Sequence, residues 1–340
     1  MHGPAPMLPP AREESVRALE SASIELVGQI VGSSNETFLV RLGGSAPEAD
    51  VDDRAEEADE DGSGSFADLA PRNQVHAVYK PELGERPLHD FPPGLFRRER
   101  AAHVLARHLG WDLVPPTIIR EDGPLGIGSL QLFEHHDPTE NYFTAYLRAA
   151  RAGGPGRRAT PVVLEAFGDP TDLSLFAGDV DGASGRADSF DADPVDEQEP
   201  AEEGLQRAHG SAGPPASGPP GDVLSWLRRL AVFDVLANNA DRKAGHVLHG
   251  HDGRLWAIDH GLSFAEELKL RTVIWDFAGD ALGDETLEVL WTVIDEVPDE
   301  ITELLHPVEV RALRGRARWL AAVGELPGDP TGMRLPWPLI

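Results

Sequence analysis

Apolar and polar residues alternate in short runs over the first half of the chain. Residues 24–42, IELVGQIVGSSNETFLVRL, contain two apolar runs separated by a turn of small and polar residues at 32–35. This pattern predicts two strands joined as a hairpin. The same reasoning predicts a third strand at 75–80 and two shorter strands at 115–119 and 129–133.

Helical spacing of apolar residues dominates the second half. Within the first half, one helix is predicted over 95–109, because Ala102, Leu105 and Leu109 share a face and Gly110 supplies a stop. Further helices are predicted over 223–236, 284–296, 300–305 and 307–323, with a strand pair that turns at 251–253. This order of elements predicts an α+β fold of two lobes, a sheet-rich N-lobe and a helical C-lobe.

The predicted boundaries divide the chain into an N-terminal extension at 1–23, an N-lobe at 24–134, a C-lobe at 135–326 and a C-terminal tail at 327–340. Two stretches interrupt the lobes. The first, 45–72, is acidic, and the second, about 151–221, is rich in glycine, proline and acid. Such compositions bury too little apolar surface to offset the entropy of ordering, so we predict flexible insertions.

The chain is strongly acidic, with a formal charge of -28. Residues 50–61 and 179–203 carry net charges of -7 and -9, which is more than half of that total. A negative surface disfavours nucleic acid and anionic membranes as partners. No apolar run approaches the ~20 residues that cross a bilayer, and there are 0 cysteines for disulfides or zinc. These features predict a cytoplasmic protein without a membrane span; they leave its oligomeric state open.

Several residues of the first half suit the binding of a nucleotide. Phosphoryl transfer needs a turn that offers backbone N–H groups, a lysine on a neighbouring strand and a carboxylate to hold that lysine. Gly32, Ser33 and Ser34 fit the turn, Lys80 ends an apolar strand, and Glu99 lies at the start of the next helix. Each also has an ordinary structural explanation, as a hairpin turn, a surface lysine or an acid near a helix N-terminus.

Two polar segments of the second half are more informative. Residues 238–246, NNADRKAGH, form a polar loop between apolar segments, and Asp241 lies in its centre. Asp259 follows an apolar strand in LWAIDHGLSF, a position that projects a carboxylate from a rigid element. Carboxylate oxygens are the ligands that Mg²⁺ prefers. The first segment could also be an ordinary capped turn.

Four histidines raise a different hypothesis, a transition-metal hydrolase. They are His246, His249, His251 and His260. Imidazole and carboxylate ligands suit zinc, iron or manganese, but the spacing does not match the helical HExxH pair. The chain also lacks the GxxxxGK[ST], GxGxxG and GxSxG motifs, which disfavours P-loop, dinucleotide-binding and serine-hydrolase interpretations.

Together these segments resemble the actinobacterial phosphatidylinositol 3-/4-kinase-like family, which is related to lipid kinases and more distantly to HipA-type protein kinases. The resemblance covers about 24–44, 75–150 and 222–320 and leaves both acidic insertions outside. VGSSNETFLV resembles the phosphate loop, and the segment that begins VYKPELGERP resembles the lysine strand and its helix. GIGSLQLF resembles the hinge between lobes, while DVLANNADRKAGHVL and LWAIDHGLSF resemble the catalytic and metal loops.

The resemblance implies a kinase-like fold and assigns roles to the first half of the chain. Lys80 would contact the phosphates of ATP, and Glu99 would orient Lys80. Gln131, Phe133 and Glu134 would border the adenine.

For the second half, the resemblance implies that Asp241 is the catalytic base or orients the acceptor hydroxyl. Asp259 and His246 would hold Mg²⁺ or, as an alternative, Mn²⁺. His246 departs from the family pattern, because related lipid kinases have an asparagine at that position. Imidazole is a poorer ligand than an amide oxygen for Mg²⁺.

The sequence therefore predicts an ATP-dependent phosphotransferase whose acceptor is a hydroxyl of a lipid, a protein or a small molecule. The alternative is a catalytically weak pseudokinase that binds nucleotide as a regulatory or scaffold protein.

Overall fold

The fold was analysed in a computed structural model, which describes residues 10–31, 33–43, 74–152, 160–167 and 223–340. The acidic insertion at 45–72, most of the insertion at 151–221, and Gly32 lie outside the described residues. The structure does not test the predictions made for those positions, including the phosphate-binding role of Gly32. None of the helices in the described part combines the length and apolar content that a bilayer crossing needs.

The N-terminal part is a sheet with two helices. Its elements are α1 (Pro10–Ser21), β1 (Ile24–Gln29), β2 (Phe38–Leu42), β3 (Val75–Pro81), α2 (Leu95–His108), β4 (Thr117–Gly123) and β5 (Gly126–Leu132). The five strands pair in the order β1-β2-β3-β5-β4, and every neighbouring pair is antiparallel. Lys80 is the second-last residue of β3, and β3 is the central strand of this sheet.

One face of the sheet is apolar and is covered by α1. Leu19 of α1 is fully buried in a cluster with alternate residues of the strands, namely Val40, Leu42, Ala77, Tyr79, Leu130 and Leu132. Because successive side chains of a strand point to opposite faces, Tyr79 enters this cluster while Lys80 points to the other face. The alternation along β3 therefore decides where the lysine lies.

Strands β3 and β5 approach each other closely beside Lys80. A Cβ atom on Gly128 would lie 2.4 Å from the carbonyl oxygen of Lys80 and 2.7 Å from Cα of Pro81. No side chain fits there unless β3 moves. Gly128 thus fixes the distance between the lysine strand and its neighbour.

The C-terminal part consists of helices packed around a buried central helix. Its elements are α3 (Tyr142–Ala152), α4 (Val162–Phe167), α5 (Val223–Ala237), β6 (Val247–His249), β7 (Leu255–Ala257), α6 (Asp284–Asp295), α7 (Asp299–Leu304) and α8 (Pro307–Val323). The last eight residues of α5, 230–237, are all buried, as expected for a helix that is apolar on every side. Strands β6 and β7 pair in antiparallel fashion, and Asp259 follows β7 by two residues.

The sheet-rich first part and the helical second part confirm the predicted distribution of strands and helices. Three helices were not predicted. In α1, Leu19 is the one buried side chain among those described, so the helix lacks an apolar stripe. The interpretation of 1–23 as an N-terminal extension contained no helix for this reason.

The second, α3, contributes four buried residues: Tyr142, Phe143, Ala145 and Tyr146. The third, α4, lies within 151–221, which was predicted to be a flexible insertion, and its residues Val163 and Leu164 are buried.

We expect Leu19→Ala to destabilise the protein by about 2–5 kcal/mol, because it opens a cavity between α1 and the sheet. Thermal and urea unfolding measure the change. Leu83→Ala is the matched control, since Leu83 is 79% exposed and its truncation leaves no cavity. Equal stability of the two variants would show that α1 does not belong to the folded unit.

Candidate functional site

A cleft lies between the two parts of the structure. Its N-terminal wall includes the hairpin turn at 33–37, Lys80 and Glu99, and its C-terminal wall includes Asp241 and Asp259. Residues far apart in the sequence thus meet where the sheet faces the helical part.

Lys80 lies between two carboxylates. Its Nζ donates to Oε1 of Glu99 at 2.5 Å and to Oδ1 of Asp259 at 2.7 Å. Desolvation alone would lower the pKa of Lys80, but the two carboxylates outweigh it and raise that pKa above its usual range. Lys80 is therefore a fixed cation. An ammonium has three N–H donors, so one more hydrogen bond is available to an anion in the cleft.

Glu99 joins the two walls of the cleft. One carboxylate oxygen accepts from Lys80, and the other accepts from the backbone N–H of His260 at 2.9 Å. Its side chain is only 3% exposed, so both contacts form away from bulk water. The helix that carries Glu99 begins where the carboxylate of Glu85 accepts from the backbone N–H groups of Gly94 and Phe96, each at 2.8 Å.

The flanking residues of Glu99 anchor α2 to three different elements. Arg98 donates to the carbonyl of Ser263 at 2.9 Å and to the carboxylate of Glu309 in α8 at 2.6 Å. Arg100 donates to Glu300 of α7 at 2.6 Å and to the carbonyl of Thr117. Three consecutive residues of one helix thus hold the sheet, the segment after Asp259 and the last two helices.

Asp259 has a left-handed backbone conformation, with φ of 60°. Asp and Asn tolerate this region better than other residues with a side chain. Desolvation would raise the pKa of Asp259, but Lys80 and then His246 hold it well below its usual range. The carboxylate is therefore ionised at neutral pH.

His246 contacts the other oxygen of Asp259. Its Nε2 lies 3.3 Å from Oδ2 of Asp259, and its Nδ1 accepts the backbone N–H of Lys243 at 3.4 Å. Because Nδ1 accepts, the proton of the neutral ring belongs on Nε2, the nitrogen that faces Asp259. Burial first, and then the nearby cations, lower the pKa of His246 to about 4, so the ring is neutral at physiological pH.

Asp241 lies on the same wall of the cleft and has a cation beside it. Lys243 Nζ is 3.0 Å from Oδ2 of Asp241, and the backbone N–H of Asp241 donates to Oδ1 of Asn239 at 2.9 Å. Burial raises the pKa of Asp241, and Lys243 opposes that rise. A carboxylate with a raised pKa accepts a proton more readily than an exposed one.

Arg242, the residue after Asp241, is fully buried and supports the site from the protein interior. It forms an ion pair with Asp234 of α5 at 2.9 Å and donates to the carbonyl of Ile258 at 2.8 Å. Its NH2 is 2.7 Å from Nε2 of His260, and Asn239 donates to the same Asp234 at 3.2 Å. These bonds tie the loop of Asp241 to the strand end that carries Asp259.

The hairpin turn at 33–37 folds against the connection between β3 and α2. Ser33 Oγ and Thr37 Oγ1 are 2.9 Å apart, and Asn35 accepts the backbone N–H of Arg86 at 2.9 Å. A Cβ on Gly84 would lie 2.6 Å from Cβ of Glu36, which shows how close the two loops are. Ser33 and Ser34 line the cleft as their predicted role requires.

Three residues predicted to border the adenine lie outside the lining of this cleft. Gln131 donates to the hydroxyl of Thr117 on β4 at 2.8 Å, and the backbone N–H of Phe133 donates to the carbonyl of His76 at 3.0 Å. Glu134 forms an ion pair with Arg12 of α1 at 2.9 Å. Burial raises the pKa of Glu134 to about 7, and Arg12 opposes that rise.

Arg12 also stacks over the ring of Trp256 in β7, at 4.2 Å from the centroid. Glu134 is thus held at the junction between α1, the segment after β5, and β7. The structure brings Lys80, Glu99, Ser33, Ser34, Asp241, Asp259 and His246 together, while the three residues at the end of β5 and beyond it have partners elsewhere.

Three residues of the site were missed by the sequence interpretation: Lys243, Arg242 and Asp234. Asp234 had a signal, since it is the one acid in the apolar helix VLSWLRRLAVFDVLA, and a buried acid requires a partner. Lys243 is one of three lysines in the chain, two positions after Asp241. No local sequence pattern indicated that Arg242 would bond to Ile258 and His260, which follow β7.

The described residues offer few side chains that could together bind a metal ion. Among the described residues there is no group of three or more histidine, aspartate or glutamate side chains that could hold a metal ion. Asp259 and His246 form a pair. This finding gives no support to the hydrolase hypothesis built on His246, His249, His251 and His260.

Known proteins resemble this chain in structure and in sequence. No protein-family model matches the chain. Its structure has some likeness to the crystal structure of a proinflammatory kinase of Helicobacter pylori, CtkA, with a TM-score of 0.40, 10% identity, and coverage of 90% of this chain and 93% of that chain. A likeness at that level does not establish a common fold.

The sequence match is stronger. Protein Rv2133c of Mycobacterium tuberculosis is 34% identical to the chain over 333 residues, which cover 96% of each protein. Similarity of this extent includes both walls of the cleft as well as the insertions. The chain therefore belongs to the family of Protein Rv2133c.

Proposed function

We propose that the protein is an ATP-dependent phosphotransferase with a kinase-like two-lobed fold, which transfers the γ-phosphoryl group to a hydroxyl. The observation that carries this proposal is the position of Lys80, held by Glu99 at 2.5 Å and by Asp259 at 2.7 Å in one cleft. These residues are 19 and 179 positions from Lys80 in the sequence. An ordinary surface lysine would not require two carboxylate partners, one from each wall of a cleft.

The charge of the cleft favours a polyphosphate only together with a divalent cation. Among the described residues, five carboxylates and one lysine line it, a formal charge of -4. Such a wall repels a bare triphosphate. A divalent cation held by Asp259 would offset this repulsion, so the pocket fits the complex of nucleotide and metal better than free ATP.

The limited set of protein ligands also fits Mg²⁺. This ion is commonly bound by one or two carboxylates together with substrate phosphates and water, rather than by a cage of protein ligands. Asp259 keeps 45% of its side chain exposed and so offers an oxygen to the cleft. When bound, the metal supplies charge neutralisation of the phosphates.

His246 remains a candidate ligand, but its hydrogen bonds favour another role. Binding at Nε2 would require the ring proton to move to Nδ1, and the bond from the backbone of Lys243 would be lost. We propose that His246 orients Asp259, whose Oδ2 lies 3.3 Å from Nε2 of His246. Mn²⁺, which accepts imidazole more readily than Mg²⁺ does, is the alternative metal.

Asp241 is the proposed base. The acceptor hydroxyl gives its proton to Asp241 while its oxygen bonds to the γ-phosphorus and the bond to the bridging oxygen of ADP breaks. Lys243, 3.0 Å from Asp241, is placed to neutralise charge on the transferring group. Lys80 holds the nucleotide phosphates with its remaining N–H donor.

The acceptor belongs to the class of hydroxyl compounds, with lipid, protein and small molecule all compatible with this geometry. A kinase of phosphatidylinositol is one specific case. Screening purified candidates with radiolabelled ATP identifies the acceptor class, and the self-phosphorylation of the protein is read in the same assay.

Lys80→Met should weaken MgATP binding by about 10- to 100-fold, because a charge-assisted hydrogen bond contributes about 1.5–3 kcal/mol. Isothermal titration calorimetry measures the affinity. Lys269→Met is the matched control, since Lys269 binds the carbonyl of Asp90 at 2.7 Å and does not line the cleft. Equal affinities of the two variants would remove Lys80 from the nucleotide site.

Asp241→Asn should lower the turnover number by about 10²- to 10⁴-fold, the usual contribution of a general base, with MgATP affinity within a few-fold of the parent. Release of ADP in a coupled assay, with titration calorimetry beside it, separates the two effects. Asp252→Asn, at an exposed turn, serves as control. MgATP binding by the parent without any turnover would instead support the pseudokinase alternative.

Metal-free ATP, measured in excess EDTA, should bind at least about tenfold more weakly than MgATP, because repulsion from the cleft carboxylates is then not offset. Asp259→Asn, which removes one of these charges, should reduce this difference. The two affinities come from calorimetry of the same protein preparation. Equal binding of ATP and MgATP by the parent would exclude Asp259 as a metal ligand.

A further inference from the structure

The last residues of the chain run back to the loop that carries Asp241. After α8, the segment 325–340 crosses the helical part and is held by backbone bonds: Leu326 exchanges hydrogen bonds with Gly279 and Asp280, at 2.8 and 3.0 Å. The carbonyl of Arg334 accepts from the backbone of Thr272 and from the indole of Trp275, each at 3.2 Å. The segment thus passes over the region that follows Asp259.

The segment then reaches the turn that ends with His246. The backbone N–H of Ala244 donates to the carbonyl of Leu339 at 2.8 Å. Leu339 is 1% exposed and shares the main core cluster with Ala244 and Val247. Beyond it, Cγ2 of Ile340 lies 3.8 Å from the position that a Cβ on Gly245 would occupy.

This contact is placed where it controls the geometry of the site. Ala244 is fully buried, three positions after Asp241 and two before His246. Its N–H has no route to water, so loss of the Leu339 carbonyl would leave a buried donor unsatisfied. The turn would move to find another acceptor, and Asp241 would move with it.

We propose that residues 334–340, here called the strap, position the catalytic loop, and that Leu339 is its positioning residue. The strap touches the loop from the core side, and Leu339 does not line the cleft described above. It therefore acts on the placement of Asp241 and His246 rather than on the binding of nucleotide. The catalytic effect of this proposal rests on the proposed phosphotransferase function.

The test uses Leu339→Ala in the full-length protein. Phosphoryl transfer is sensitive to displacements of about 1 Å, so we expect the turnover number to fall by about 10- to 100-fold. The KM for MgATP and its affinity should stay within about twofold of the parent, because Lys80, Glu99 and the turn at 33–37 are not touched by the strap. A loss of fold alone would instead lower the number of MgATP sites titrated by calorimetry, and the turnover per titrated site would stay at the parent value.

Two further variants distinguish packing from positioning. Met333→Ala truncates an apolar side chain of the same tail that is 80% exposed, and it should leave turnover at the parent level. Leu339→Ala and Leu339→Met both keep the backbone carbonyl of residue 339, but Leu339→Met also keeps the side-chain volume that holds the strap in the core, so it should restore most of the turnover. Equal loss in Leu339→Ala and Leu339→Met, or no loss in either, would overturn the proposal.

Hydrogen exchange tests the strap without any assay of activity. In Leu339→Ala, the peptide that contains Ala244 should exchange faster than in the parent, while peptides of β3 and β5 should exchange at the parent rate. Uniform acceleration through the protein, or an unchanged rate at Ala244, would refute the strap. If the parent shows no ATP turnover but this local change is present, the phosphotransferase proposal fails and the strap contact stands.

Discussion

The buried ion pair between Arg242 and Asp234 is the interaction on which the site depends. Both side chains are withdrawn from water, with exposures of 0% and 1%, so each charge would be costly without the other. The pair does more than neutralise itself. Arg242 reaches the carbonyls of Ile258 and His246 and the ring of His260, and so joins the loop of Asp241, the end of β7 and the core helix α5.

That arrangement explains how one rigid frame presents two carboxylates to the same space. Asp241 precedes Arg242 in the loop, and Asp259 lies between the two residues, Ile258 and His260, that Arg242 binds. The backbone of Asp259 adopts φ of 60°, and the neighbouring bonds hold it there. Across the cleft, Glu99 completes the frame, since its second oxygen accepts from the backbone of His260. The position of Lys80 is then fixed by both lobes.

Much of this could be predicted from local sequence. The apolar run before Lys80 predicted its place at the end of a strand, and the polar segments around Asp241 and Asp259 singled out two residues that lie on the opposite wall of the cleft. The helix α1 could not be predicted in this way, because one buried leucine gives no periodic pattern. The ion pair of Glu134 with Arg12 could not be predicted either, because it joins residues 122 positions apart in the sequence. Lys243 and Arg242 lay within a segment already singled out, but their partners are set by the tertiary fold.

The anchoring of α2 has a consequence for control. Arg98, Glu99 and Arg100 bond α2 to four other segments at once. The helix therefore cannot rotate away from the cleft without breaking hydrogen bonds on several sides. Withdrawing Glu99 from Lys80 would break the bonds to Ser263, Glu309, Glu300 and Thr117 together. Movement of α2 is therefore a poor means of separating Glu99 from Lys80 in this protein. Control of the Lys80–Glu99 pair would have to come from the open side of the cleft, where Lys80 and Asp259 face the same space.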